Sequence, residues 1–455
     1  MSNIEDIRPR RRTRALWAAA IAAAIGTLVV LALPGPPPRK YPGRIPVRFW
    51  HMWTAEWKDV VDDIVDRFNE SQNVYEVIPL SIPYTAADSK FLLAVAGGDP
   101  PDVMAQWNSV IPKWADSKLI IPLDDLMTPG EWQEFQETVY PAAQKIGMYQ
   151  GRLYGVTTGL NIRANYIRLD HLREAGLSPD DIPETLEELC VWSQQLHRFN
   201  ESGDLIRIGF MPQNLYDYAP AFGGGFYDWK TGQVQIDTPE NRAALQFLVD
   251  ERRKLGFDKV VRFISGLAIG LGNVEWPFIS GSYTITADGQ WRVEQLRKYA
   301  PELEYITRPV PPPKGGKEHA GWVNGNFMII PRGAACVQGA WEFIKFWSGL
   351  ENPERAAEFY TWGGWLPLSP AIAEAPIFRK YVEEFPQFQT FLDMLPSENM
   401  LPMPPVPYQV FLWDRLIQAD EAAMRGTLTA EEALDRFERE IARERASRKE
   451  LGYEE

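Results

Sequence analysis

Tryptophan stands beside hydrogen-bonding residues at several points of the sequence. Residues 106–108 read Gln-Trp-Asn, residues 288–291 read Asp-Gly-Gln-Trp, and Trp53 is followed closely by Glu56. An indole ring offers an apolar face and one N–H donor, whereas amides and carboxylates offer donors and acceptors in fixed directions. These pairs suit the non-covalent recognition of a small solute that has both apolar and polar surfaces.

Covalent and metal chemistry find less support. The four histidines lie far apart, and neither an HExxH nor a CxxC motif occurs, so we expect no metal. Cys190 and Cys336 fall in helical patterns with apolar neighbours, which is typical of buried free thiols. The glycines at 223–225 lack the Lys-Ser/Thr of a phosphate loop, so we predict no nucleotide and no cofactor.

One enzymatic alternative stays open at this point. Glu56 and Asp288 could be the paired carboxylates of a glycan-processing enzyme. That reaction needs a fixed carboxylate separation and a raised pKa on one acid. No nucleophile elbow or other reaction signature accompanies the two residues, so we predict a protein that is not an enzyme.

The elements around these residues predict an open α/β sheet. Residues 47–50 suit a strand, a helix with an apolar face follows through Phe68, and 74–80 suit the next strand. Ligands of such sheets bind beyond the carboxyl ends of the strands. This places Trp53 and Glu56 at a candidate site, and residues 106–108 follow another buried strand.

A second folded unit begins after residue 149. Gln150-Gly151 is a hairpin signal, residues 157–161 are mostly small or polar, and a helical pattern then ends at Gly176. One continuous segment thus leaves one unit and enters another. A cleft between two lobes would lie at this crossing, where Thr158 and Asn161 would face the gap.

Charge is distributed unevenly along the 455 residues. Residues 1–45 carry eight Lys and Arg against two Asp and Glu, a net of +6, which leaves −20 for the rest because the whole chain carries −14. Nucleic-acid binding needs a basic footprint, so an acidic body excludes nucleic acid as a partner.

The N-terminus predicts a membrane segment. Residues 1–14 form a basic cytoplasmic tail, 15–33 are nineteen residues without a charge, and 34–45 form a proline-rich linker. The competing interpretation is a cleaved signal peptide with a weak site at 30–32. We favour an uncleaved anchor because the apolar run is long and the cleavage site is poor; either way the body lies outside the cytoplasm.

The sequence resembles a known family in the order and spacing of four segments, at 96–103, 154–177, 278–291 and 321–349. Over about residues 46–445 the chain resembles the extracellular solute-binding proteins of carbohydrate ABC importers, the maltose-binding-like family 1. The resemblance implies an α/β, two-lobed periplasmic-binding-protein fold with discontinuous domains and a hinge. It also implies no catalysis, closure of the lobes on a carbohydrate, and docking on the transmembrane subunits of an ABC permease.

The resemblance further implies the limits of the lobes. The N-lobe would comprise residues 46–155 and 284–328, and the C-lobe residues 156–283 and 329–455. The loaded protein would work in the periplasm or at the cell surface. The anchor that the residues predict at 15–33 departs from the family, whose members usually have a cleaved signal or a lipidated cysteine; it would hold this protein to the cytoplasmic membrane.

A sugar site needs rings that pack on the apolar faces of the sugar and fixed groups that bind its hydroxyls. At residue 290 this chain has Gln where the family's strand-end turn usually has Pro, which adds a hydrogen-bonding group. The candidate ligand-binding residues at cleft-facing positions are Trp53, Glu56, Gln106, Trp107, Asn108, Thr158, Asn161, Phe222, Gly224, Asp288, Gln290, Trp291, Trp322, Asn324, Trp362 and Trp365.

Two further questions stay open at the level of sequence. A retained N-terminal helix would also suit a membrane-tethered sensory receptor that passes on a signal rather than the solute. The family's ligands include glycerol phosphodiesters and polyamines as well as sugars. The acidic body disfavours an anionic ligand, although Arg163 on the crossing could reverse that locally.

Overall fold

The computed structural model describes residues 39–267 and 276–453. The predicted basic tail at 1–14 and the predicted membrane helix at 15–33 lie outside the described residues. Among the helices of the described residues, none combines the length and the apolar character that a membrane crossing needs.

The largest sheet begins as the sequence predicts. Strand β1 pairs in parallel with β2 on one side and with β3 on the other. Val47, Phe49 and His51 alternate toward the interior along β1, which is the period expected of a strand. The strands are β1 (Ile45–His51), β2 (Tyr75–Ser81), β3 (Val103–Trp107), β4 (Met148–Tyr149), β5 (Arg152–Leu153), β6 (Val156–Arg168), β7 (Arg198–Phe199), β8 (Leu205–Arg207), β9 (Tyr227–Asp228), β10 (Gln233–Val234), β11 (Ile285–Gly289), β12 (Tyr305–Arg308), β13 (Gly321–Ile329) and β14 (Met400–Leu401).

Helices cover the sheet and form most of the rest of the chain. The first buries Val61, Ile64 and Phe68, the face that the sequence predicts. The helices are α1 (Glu56–Ser71), α2 (Tyr84–Ala96), α3 (Ile111–Asp116), α4 (Pro129–Thr138), α5 (Pro141–Gly147), α6 (Leu169–Ala175), α7 (Leu186–Leu196), α8 (Leu215–Tyr218), α9 (Pro239–Leu255), α10 (Phe257–Gly266), α11 (Trp291–Tyr299), α12 (Val337–Ser348), α13 (Pro353–Gly363), α14 (Pro370–Ala373), α15 (Pro376–Glu384), α16 (Gln389–Met394), α17 (Gln409–Met424) and α18 (Ala430–Glu450).

Local sequence signals account for several element ends. The hairpin of β4 and β5 turns at Gln150 and Gly151, both with positive φ. Gly176 ends α6 in the left-handed conformation, as predicted. Helix α4 ends before Pro141, which lacks the N–H that would continue a helix and instead begins α5.

Strand β6 is the longest strand of the sheet, whose strand order is β11-β6-β13-β3-β1-β2. It pairs antiparallel with β13 along its first half and with β11 and β12 along its second half. Residues 157–161, predicted as an extended polar crossing, are the first part of this strand.

The buried side chains divide into two main cores that meet along β6. Leu160, Ile162 and Tyr166 belong to the first core, which also contains the apolar residues of β1 and β3. Ile167 belongs to the second core, together with the apolar residues of α7, α9, α17 and α18. The fold therefore has two lobes that share one strand.

Helices α12 to α16 pack in the first core. Phe343 lies 5.1 Å from Phe49, and Trp347 lies 5.5 Å from Trp53, measured between ring centroids. This packing differs from the prediction that everything after residue 328 belongs to the C-lobe. We propose that the N-lobe extends through α16 and that the C-lobe resumes near α17.

The position of α12 makes a testable prediction. A Cβ added at Gly339 would lie 2.6 Å from Val47 and 2.7 Å from Tyr75, so α12 leaves no room there. We expect Gly339→Ala to lower the free energy of unfolding by about 1–3 kcal/mol, because over-packing outweighs the gain in helix propensity. Denaturant unfolding would measure it.

Gly130→Ala in α4 is the matched control, because nothing lies within 4 Å of an added Cβ. We expect that variant to be as stable as the wild type or slightly more so. Equal stability of both variants would contradict the packing of α12 on β1 and β2.

Candidate solute-binding site

Amide side chains meet where β6 and β13 pair between the two cores. Asn161 lies directly opposite Asn324 in the register of the two strands. Gln290 reaches the same place from the turn after β11. Its Nε2 donates to Asn161 Oδ1 at 2.9 Å and to the carbonyl oxygen of Leu160 at 3.1 Å. Three predicted site residues from distant parts of the chain are therefore brought together.

The same face of the sheet continues with a cation and a ring. Side chains two residues apart on a strand share a face, so Arg163 follows Asn161 and Trp322 neighbours Asn324. The Arg163 guanidinium carbon lies 5.8 Å from the centre of the Trp322 ring. We call Asn161, Arg163, Trp322 and Asn324 the binding face.

An aromatic group from the second core adjoins the binding face. Trp322 stacks on Trp413 of α17 with ring centroids 5.2 Å apart, and Tyr216 of α8 lies within 5.0 Å of both rings. Sequence reasoning missed both partners. Tyr216 begins a segment rich in glycine and aromatic residues, which is a weak signal, whereas nothing in the sequence around Trp413 marks it.

Several buried polar atoms on and beside the binding face have no hydrogen-bond partner within the described part of the chain. Native proteins pair nearly all buried polar groups, so these atoms are open to hydrogen bonds from water or a bound solute. They are Arg163 Nε, Asp217 Oδ1, Gln290 Oε1, Trp322 Nε1, Asn324 Oδ1 and Asn326 Oδ1.

Arg163 and Asp217 form an ion pair at the edge of the binding face. Arg163 Nη1 donates to Asp217 Oδ2 at 3.0 Å, and Asn214 donates to the same oxygen. Burial opposes the charge of Arg163, but the attraction of Asp217 raises its pKa further above the usual range. Burial raises the pKa of Asp217, and the charge of Arg163 opposes that rise. Sequence reasoning did not identify Asp217.

The predicted residues after β3 are one exposed ring and two amides that bond within the protein, and ligand contact by the amides stays a prediction. Trp107 is 36% exposed, which is unusual for a tryptophan. Gln106 donates to Asp88 at 3.0 Å, and Asn108 accepts from the backbone N–H of Gly325 at 3.2 Å. Trp107 alone of these three residues presents a large open surface.

Three other predicted residues have structural contacts. Thr158 donates to the carbonyl oxygen of Asn326. Phe222 packs on Phe247, with ring centroids 5.7 Å apart. A Cβ at Gly224 would lie 2.3 Å from Asn241 Oδ1, so this glycine allows a tight turn on the start of α9. Ligand contact by these three residues stays a prediction.

Three predicted stacking rings pack within the first lobe instead of standing open. Trp53 and Trp365 are 8% and 5% exposed and lie 5.7 Å apart, each close to Trp347. Trp362, on α13, lies beneath the guanidinium of Arg67. These contacts favour structural roles, and ligand contact by the three residues stays a prediction.

The turn after β11 holds the last predicted residues. Asp288 accepts from the backbone N–H of Gly289 and from Arg292 Nε, each at 2.8 Å. The Trp291 ring lies over Gly289, where a Cβ would come within 1.9 Å of it. The Glu56 side chain lies outside the described residues, so its distance from Asp288 stays open. Across 39–267 and 276–453, no three His, Cys, Asp or Glu side chains could hold a metal ion.

The chain resembles known binding proteins over most of its length. Residues 63–387 match the family model of the bacterial extracellular solute-binding proteins. The sequence is 23% identical to the sn-glycerol-3-phosphate-binding periplasmic protein of Yersinia pestis bv. Antiqua, over 80% of this chain and 82% of that protein. It is also 23% identical to a maltotriose-binding protein of Pyrococcus abyssi, over 62% of this chain and 58% of that protein.

A solved structure has the same fold. The cyclic α-maltosyl-1,6-maltose binding protein of Arthrobacter globiformis matches with a TM-score of 0.72 at 21% identity, covering 87% of this chain and 98% of that one. The two-lobed α/β solute-binding fold predicted from the sequence is thereby confirmed.

A buried carboxyl group supports the helix that carries Tyr216 and Asp217. Asp420 Oδ2 accepts from the backbone N–H of Leu215 at 3.1 Å, and burial raises the pKa of Asp420 to about 7. In an unfolded chain this pKa is about 3.9, so the folded protein binds an extra proton between roughly pH 4 and 7. Stability from this group therefore falls as pH rises through that window.

We expect Asp420→Asn to keep the acceptor and remove the cost of burying a charge. Thermal unfolding should show the variant more stable than the wild type at pH 8, by about 2–4 kcal/mol, with the difference shrinking as the pH falls and lost below about pH 4. Asp180→Asn, an exposed change of equal charge, is the control. A difference that does not vary with pH would contradict the burial of Asp420 as a neutral acid.

Proposed function

The chain belongs to the bacterial extracellular solute-binding proteins, and we propose that it binds a sugar or oligosaccharide between its two lobes. The bound solute would pass to the transmembrane subunits of an ABC permease. The observation that carries the proposal is the binding face: buried polar atoms that find no partner among the residues the structure describes, beside stacked aromatic rings.

The chemistry of the binding face supports a sugar. A sugar hydroxyl both donates and accepts hydrogen bonds. Its O–H can donate to the amide oxygens of Asn324 and Gln290, and its oxygen can accept from the indole N–H of Trp322. The apolar faces of a sugar ring suit Trp107 and the aromatic group of Tyr216, Trp322 and Trp413.

The relatives support the same class of solute. One is named for maltotriose, and a protein of the same fold is named for a cyclic maltosyl-maltose. Another is named for sn-glycerol 3-phosphate, so neutral and anionic solutes both occur among proteins similar to this chain. All three are named as binding proteins, which fits a protein that is not an enzyme.

Membership of an extracellular family places the folded part outside the cytoplasm. Anchoring by residues 15–33 stays a prediction from the sequence. The mass of the protein recovered from membranes would test it, because cleavage near residue 32 would remove the segment.

Closure of the lobes would supply the binding mechanism. A solute that contacts both lobes only when they are closed shifts the population toward the closed form. Asp116 of α3, in the first lobe, pairs with Arg448 of α18, in the second, at 3.1 Å. Helix α3 follows Asn108, and Arg448 lies 6.0 Å from the ring of Tyr408, which precedes α17. We infer that this ion pair stabilises the closed form at the edge of the cleft.

A thermal-shift screen tests the function. We expect a neutral oligosaccharide, with maltotriose in the panel, to stabilise residues 39–455 by about 2.7 kcal/mol at 100 times its dissociation constant. Trp107→Ala should weaken that binding about 10- to 100-fold, because an exposed ring loses its stacking on the sugar. Calorimetric titration would measure the affinities.

Trp132→Ala is the matched control, because Trp132 stacks on Phe135 in α4 rather than at the binding face. Its affinity for the sugar should equal that of the wild type. Stabilisation by charged solutes alone, with no neutral sugar bound, would overturn the sugar assignment while leaving the family unchanged.

The ion pair between the lobes makes a second prediction. We expect Arg448→Gln to weaken the binding of the same sugar roughly two- to fivefold, because a half-buried pair contributes about 1 kcal/mol to the closed form. Arg439→Gln, which removes a pair within α18 itself, should leave the affinity unchanged. An affinity that rises in Arg448→Gln would place the pair in the open form instead.

A further inference from the structure

The opposite charges of Arg163 and Asp217 indicate what charge a bound solute can carry. Its charges cancel, and one Nη1–Oδ2 bond at 3.0 Å joins them. Arg163 Nε and Asp217 Oδ1 are both buried and have no partner in residues 39–267 and 276–453. The pair therefore leaves open one N–H donor and one carboxylate acceptor, on two side chains in direct contact.

Only the Arg163 side of the pair is exposed, and the exposed part of that side chain does not include Nε. The Arg163 side chain is 25% exposed, whereas that of Asp217 is 4% exposed. The guanidinium carbon lies 5.5 Å from the Tyr216 ring and 5.8 Å from the Trp322 ring. A solute stacked on this aromatic group would lie beside the pair, and its hydroxyl groups would reach Arg163 Nε and Asp217 Oδ1 once the side chains shift to admit them.

The neighbouring charges cancel as well. Asp288 acts on Arg163 through its charge, but Arg292 is bonded to Asp288 at 2.8 Å. The four side chains together carry no net charge. A phosphate or carboxylate has acceptors and a negative charge, so Asp217 would repel it and Asp217 Oδ1 would gain no donor. A hydroxyl group can donate to Asp217 Oδ1 and accept from Arg163.

We propose that the Arg163–Asp217 pair is the specificity-determining element of this site: it binds hydroxyl groups of an uncharged solute and rejects phosphorylated or carboxylated ones. The inference rests on the proposed function, which it narrows to neutral polyhydroxyl compounds. Arg163 is not an anion site, because its charge is already neutralised by Asp217.

Asp217→Asn tests the inference, because it keeps the shape of the side chain and leaves Arg163 without its counter-charge. We expect the affinity for the neutral oligosaccharide to fall about tenfold or more. We expect the affinity for sn-glycerol 3-phosphate, the anionic probe, to rise by a similar factor. Asp180→Asn changes the net charge equally at an exposed residue and should alter neither affinity.

The outcomes separate the two proposals. If the wild type binds neutral sugars and the ratio of the two affinities does not change in Asp217→Asn, the specificity inference fails and the sugar function stands. If the wild type binds sn-glycerol 3-phosphate more tightly than any neutral sugar, the inference fails and the sugar assignment with it. If the wild type binds neither, both fail.

A measurement on the wild type keeps the inference testable where Asp217→Asn does not fold. The dissociation constant of the neutral sugar should stay constant over a roughly tenfold range of NaCl concentration, because no net charge is bound. Inorganic phosphate should not compete with the sugar. Competition by phosphate that weakens with salt would overturn the inference.

Discussion

The backbone pairing of β6 is the constraint on which both lobes depend. Over thirteen residues, Val156 to Arg168, this strand bonds first to β13 and then to β11 and β12. Its pleat turns Leu160, Ile162 and Tyr166 into the first core and Asn161 and Arg163 to the opposite face. A shift of one residue would exchange these sets, so the register that builds the first core also fixes where the polar groups of the site stand.

The polar atoms on that face oppose stability wherever neither water nor a solute bonds to them. An unsatisfied buried donor or acceptor costs about 1–3 kcal/mol, and Gln290, Trp322 and Asn324 each leave one open. The fold tolerates this cost because the backbone hydrogen bonds between β6 and β13, together with the packing of both cores, hold the two strands in place. A solute that satisfies these atoms recovers that free energy, which is why such a face favours binding over a purely structural role.

Local patterns in the sequence predicted the helices, strands and turns better than they predicted the contacts between these elements. Gln150-Gly151 and Gly176 marked a turn and a helix end in advance, because each signal depends on a few neighbouring residues. The amides Asn161 and Asn324 could also be named in advance from their positions at the crossings, and Gln290 from the strand-end turn that resembles the family's. The roles of the tryptophans could not. Trp53 follows β1 and Trp322 lies near the start of β13, yet one packs on Trp347 and the other stacks on Trp413, partners more than ninety residues away along the chain.

Selection by charge must come from the immediate neighbours of the solute rather than from the acidic surface. The chain carries a net charge of −14, but exposed charges are largely screened beyond about 8–10 Å at physiological salt. The acidic body can slow the approach of an anion, whereas it adds little to the free energy of an anion held inside the cleft. That free energy depends on Arg163 and on whether Asp217 neutralises it. Arg163 and Asp217 are bonded and neutralise each other, as do Asp288 and Arg292 beside them. The proposed site therefore disfavours anions because it holds no net positive charge, whereas the acidic surface disfavours them only by slowing their approach.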